Sequence, residues 1–147
     1  MLRMASGALT ARTDDGTRVL RVLLTLAIGF SIVHYTDNVV AYDVYPPGSV
    51  LGIEVTRDLV WISWIVFVAA GLAGFALYRR GRLLAAALLL AVFSTSGLIS
   101  LGHYTVPGMS EVAWWRHVSI WIDITLGAAV LAFALRTVAT SPRRAQA

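Results

Sequence analysis

Residues 59–101 read LVWISWIVFVAAGLAGFALYRRGRLLAAALLLAVFSTSGLISL, two apolar runs hinged on Arg79, Arg80, Gly81 and Arg82. Neither run carries a charge, and each is close to the ~20 residues that a helix needs to cross a ~30 Å hydrocarbon layer. A hinge so short makes the two runs neighbours, so the stretch reads as a membrane-spanning helical hairpin. Similar blocks lie on either side, at 19–41 and 118–135. The expected fold is therefore an all-α integral membrane protein with four transmembrane helices, over about 19–41, 59–78, 83–101 and 118–135, in one domain spanning 1–147. The polar, arginine-bearing ends, 1–17 and 140–147, are expected to be loosely held.

Composition supports this. The chain is 58% hydrophobic and 14% charged, against roughly a quarter charged in soluble domains. Cysteine is absent, which removes disulfides, thiolate metal sites and cysteine nucleophiles. The net charge of +4 comes from arginines set beside the apolar blocks; they read as topology signals, and no nucleic-acid partner is expected. The first block is not a cleaved leader by its pattern, because it runs into His34-Tyr35-Thr36-Asp37 without a small-x-small cleavage site.

Arginine placement orients the helices. Arg3, Arg12, Arg18 and Arg21 precede the first span, Arg79, Arg80 and Arg82 join the second to the third, and Arg136, Arg143 and Arg144 follow the fourth. Only Arg57 and Arg116 occupy the other two connections. The positive-inside rule puts both termini in the cytoplasm of a bacterial-type inner (plasma) membrane. Tyr35, Tyr42, Tyr45, Trp61, Trp64, Tyr104, Trp114 and Trp115 then gather at the outer interface as an aromatic belt. Val50-Leu51-Gly52-Ile53, after the Pro46-Pro47 turn, is expected to pack back on the membrane surface.

Ser31-Ile32-Val33-His34-Tyr35-Thr36 recurs as Ser100-Leu101-Gly102-His103-Tyr104-Thr105. Four of six positions match, which reads either as tandem duplication of a two-helix hairpin or as a composition shared by interfacial helix ends.

All three histidines fall at outer helix ends. Asp37 follows His34 by three residues and Ser31 precedes it by three, so they approximately share a face. Ser96, Ser100 and His103 form a second stripe, and Arg116, Ser119 and Asp123 a third. Asp58 opens the second span at the same level, where capping the helix is its plain structural role. Asp123 lies about two turns into an apolar helix, where a carboxyl costs a few kcal/mol unless compensated. Arg116 is roughly 10 Å away along the helix, so a serine or histidine of another span is the alternative partner.

The candidate ligand or proton site is thus His34, Asp37, His103, His117 and Asp123, supported by Ser31, Ser100, Asp58 and Arg116. His34, His103 and His117 with Asp37 suit zinc or another divalent metal. His34 and His103 could instead be the axial ligands of haem b. Histidines titrating against Asp123 suit a small proton-linked transporter or channel-like oligomer. A non-catalytic interaction subunit of a larger membrane complex is the remaining class, with interfacial anchoring as the role of the polar residues. Beyond the lipid bilayer, the expected partners are further copies or such a complex. No catalytic signature is present: there is no H-E-x-x-H, phosphate loop or G-x-S-x-G. Gly71, Gly74 and Gly97 read as close-packing positions between helices.

Overall fold

A computed structural model describes the backbone of residues 2–50 and 52–140 and the side chains of 15–49 and 52–140. The two ends expected to be loosely held fall largely outside those side chains. Four helices dominate: α1 (Leu2–Val40), α2 (Arg57–Arg79), α3 (Leu83–Leu98) and α4 (Trp114–Thr140). A 3₁₀ segment, Ile99–Thr105, continues α3. Asp15–Val40, Arg57–Arg79, Leu83–Thr105 and Trp114–Thr140 are each long and apolar enough to cross a membrane.

The helix ends follow local chemistry. Thr56 caps α2, its Oγ1 accepting from the Leu59 amide at 3.2 Å. The capping role open to Asp58 therefore belongs to Thr56, while Asp58 sits exposed in the first turn. At the other end Gly81 adopts φ +74°. The Gly81 amide donates to the Tyr78 carbonyl and the Arg82 amide to that of Leu77, each at 3.0 Å, a pairing that closes the helix and reverses the chain. α4 starts at Trp114, four residues before the apolar block, because Trp114, Trp115, Arg116 and His117 all tolerate helical backbone. The first connection forms a small hairpin, β1 (Ser49–Val50) paired antiparallel with β2 (Ile53–Glu54). Ile53 is exposed there.

Each helix packs on its chain neighbours, and α1 also packs on α4, closing a four-helix ring in which α1 and α3 are diagonal partners. Its centre is apolar toward the arginine-bearing end, where Leu20, Leu24, Leu90, Phe93 and Val130 are buried together. Glycines set the spacing. A methyl on Gly71 would meet the Phe93 ring at 2.9 Å, and one on Gly74 would meet the Leu90 side chain at 3.1 Å. At Gly97 it would run into the Asp123 carbonyl, while Gly127 faces the Ser94 carbonyl at 2.9 Å. α3 and α4 thus cross backbone to backbone at the depth of Asp123. The outward faces are mostly apolar, as at Leu72, Leu84, Leu88 and Leu135.

Candidate functional site

At the histidine-bearing end the centre of the bundle becomes polar. His34 on α1 is 1% exposed. Its Nε2 lies 3.1 Å from Asn38 Nδ2 and 3.4 Å from Ser100 Oγ, and its Nδ1 lies 3.2 Å from Ser119 Oγ. An amide nitrogen can only donate, so Nε2 accepts and the ring proton sits on Nδ1, donated to Ser119. Ser119 in turn donates to the Arg116 carbonyl at 3.2 Å.

Ser100 joins this group to the buried acid. Its hydroxyl donates to Asp123 Oδ2 at 3.2 Å, so a serine from the neighbouring helix compensates Asp123, one of the two partners anticipated from sequence. The close approach at Gly97 and Gly127 makes the contact reachable. A line of polar contacts results: Asp123 on α4, Ser100 after α3, His34 on α1, and Ser119 back on α4; with the Ser100 proton given to Asp123 and the ring proton on Nδ1, Ser100 Oγ and His34 Nε2 meet as two acceptors.

Asn38 leaves a loose end. It is 9% exposed, and its Oδ1 is buried with no hydrogen-bond partner among the described residues. Turning the amide over would only transfer the vacancy to Nδ2, so the site retains an unmet polar valence beside His34 in either orientation.

Asp37 is not in the His34 shell that its spacing suggests. It pairs with Arg116, with Nε to Oδ2 at 2.9 Å and Nη2 to Oδ1 at 3.2 Å, both side chains being largely shielded. Tyr45, from the first connection, donates to Asp37 Oδ2 at 2.5 Å. Burial, that bond and the Asp37 charge together push the Tyr45 phenol above its ordinary value, while Arg116 opposes them. The Tyr45 ring also lies 5.2 Å from that of His103. Tyr45 therefore roofs the polar centre, held by an ion pair between α1 and α4.

The three histidines occupy different places. His103 stands edge-to-face with His34, with ring centroids 5.6 Å apart, and its ring makes no hydrogen bond among the described residues. His117 faces away to Tyr104, whose hydroxyl is 3.2 Å from its Nδ1. Among the described residues no three His, Asp or Glu side chains form a group able to hold a metal ion. Both ring nitrogens of His34 are occupied by side-chain partners, so ligation there would first have to break those bonds.

Several residues have roles that sequence reasoning missed. Tyr35 is buried, not part of the outer belt, and donates to the Ser96 carbonyl at 3.0 Å. Asn38 partners His34, and its i+4 spacing on a continuing helix was the available signal. Ser31 accepts from Trp64 Nε1 at 3.0 Å, which takes Trp64 from the belt as well. Trp61, Trp114, Trp115 and Tyr104 remain exposed. Compared with family models, curated proteins and solved structures, the chain matches none.

Proposed function

We propose that this is a multi-pass membrane protein that takes up protons from its histidine-bearing side into a one-sided site, His34–Ser100–Asp123, and couples that uptake to the packing of its helices. The observation that supports this reading is the line of polar contacts through α4, the end of α3 and α1: a proton taken up by Asp123 frees the Ser100 hydroxyl to turn to His34 Nε2, which completes the hydrogen-bond chain. Imidazole, hydroxyl and carboxyl groups in contact can pass a proton along such a chain.

The apolar helix faces support insertion, and the arginine distribution supports an orientation with the histidine end outward. One-sidedness rests on the packing of Leu20, Leu24, Leu90, Phe93 and Val130 beyond Asp123, where the buried hydroxyls of Ser94 and Thr137 donate to carbonyls of their own helices. This favours sensing, or coupling to a bound solute, over an open proton channel. The orphaned Asn38 Oδ1 adds a second element, a place for one small hydrogen-bond donor such as water.

The test is infrared-detected titration of the protein in oriented vesicles. A carboxyl band that follows pH on the histidine-bearing side, vanishes in Asp123→Asn, and shifts in both Ser100→Ala and His34→Gln is the expected result. A band unmoved by the last two variants, or one that follows pH equally from the arginine side, would overturn the proposal. So would Asp123-dependent proton flux across the vesicle wall.

A further inference from the structure

The two ends of the bundle treat their arginines differently. At the histidine end Arg57 pairs with Asp43 at 3.2 Å and Arg116 with Asp37. At the other end Arg18, Arg79, Arg80, Arg82 and Arg136 are exposed, and none has a carboxylate partner among the described residues. Tyr78 forms a junction between helices there. A methyl on Gly16 of α1 would meet its hydroxyl, and the Phe133 ring of α4 lies 5.3 Å from its own. Arg79 follows Tyr78, and Arg136 is three residues from Phe133, so both lie next to this junction. The turn that closes α2 places Arg79, Arg80 and Arg82 within four residues, and a groove lined by Ala76, Arg79 and Arg80 opens beside it.

Exposed guanidiniums with no carboxylate partner among the described residues repel one another unless an anion joins them. Guanidinium forks match phosphate oxygens in paired hydrogen bonds, and basic pockets at the cytoplasmic ends of spanning helices suit anionic headgroups. We infer that the groove at Arg79 and Arg80, with Arg82 in the same turn, binds the phosphate of an anionic phospholipid. The inference rests on the bundle spanning a membrane as proposed above, and is independent of the proton site.

The experiment uses the full chain in vesicles of phosphatidylcholine with or without phosphatidylglycerol. Mass spectrometry of the extracted protein reads the lipid retained. Phosphatidylglycerol should be retained preferentially, the preference falling about fivefold for each arginine removed in Arg79→Gln and Arg80→Gln. Arg57→Gln, at the opposite end, should retain lipid as the wild type does. Equal retention of both lipids, or unchanged preference in the double glutamine variant, would overturn the inference. In detergent, stabilisation by inorganic phosphate matching that by phosphatidylglycerol would overturn the lipid assignment. A chain washed from the vesicles by alkaline carbonate would mark failure of the spanning reading instead, since that outcome precedes any lipid preference.

Discussion

The two copies of Ser-x-x-His-Tyr-Thr share four residues and almost no contacts. In the first, Ser31–Thr36 lies within α1; in the second, Ser100–Thr105 is wound as 3₁₀. His34 is buried among Asn38, Ser100 and Ser119, whereas His103 is half-buried and touches rings only. Tyr35 points inward to the Ser96 carbonyl, and Tyr104 outward to His117. Winding explains part of this. At three residues per turn Ser100 and His103 eclipse one another, so Ser100 meets His34 and Asp123 while His103 stacks on the outer edge of the His34 ring. Six residues before each histidine stands Ile28 in one copy and Gly97 in the other, and the glycine lets its helix meet α4 backbone to backbone. Identical residues acquire different chemistry from the spacing of the backbone beneath them.

Making the second copy resemble the first at that position should therefore have the largest effect. Gly97→Ile drives a branched side chain into the Asp123 carbonyl, forces α3 from α4, and removes Ser100 from reach of the acid. We expect a loss of at least about 3 kcal/mol, at the upper end of overpacking costs. Thermal unfolding in detergent measures it; a variant as stable as the wild type would show that the crossing is looser than described.

Next in size is the difference between the two histidines. His34→Ala strands Ser119 and Asn38 in a buried space, at a cost of about 2–3 kcal/mol. His103→Ala gives up ring contacts alone, about 1 kcal/mol. Equal losses in the same unfolding assay would remove the asymmetry.

Much of this architecture is legible in the chain. The uncharged runs of α2 and α3 announce spanning helices, the solitary Asp123 announces a compensated site, and Ser100 emerges from a stripe of 3.6-residue spacing. Periodicity reports which face a residue occupies, not which neighbour that face meets. His117 accordingly shares a level with the other histidines yet meets Tyr104, and Asp37, on the expected face, is captured by Arg116 from α4. Tyr45 was beyond reach for a different reason: a loop residue has no period, and its bond to Asp37 depends on how the Pro46-Pro47 turn folds over the bundle.

Tyr45 joins the two copies, bonding Asp37 near the first and stacking on His103 of the second. Tyr45→Phe keeps the stacking and loses the bond, about 1–2 kcal/mol at neutral pH. The pH dependence has a definite sign. In the unfolded chain the phenol ionises near its ordinary value of 10.0, whereas in the fold it stays protonated to higher pH. The folded state then holds more protons, so the stabilisation is complete below that value and drains away as pH rises above it. Unfolding midpoints across the alkaline range should fall more steeply for the wild type than for Tyr45→Phe; parallel curves would mean that Tyr45 does not hold Asp37.

The smallest expected effect tests whether the second copy's outer face is free. Its matched difference from the first copy is Gly102 for Val33, and Val33 is 58% exposed on α1. Nothing lies within 4 Å of a methyl built on Gly102, and its φ is not among the positive ones. Gly102→Val therefore meets neither steric nor backbone resistance, and stability should stay within about 0.5 kcal/mol of the wild type. The isolated fold gives no reason for a greater loss, so one would show that this face of the 3₁₀ segment is covered in the assembled protein. Crosslinking from Leu101 would then identify whether a second copy or another chain covers it, and the exposure of the second copy would have to be redrawn as an interface.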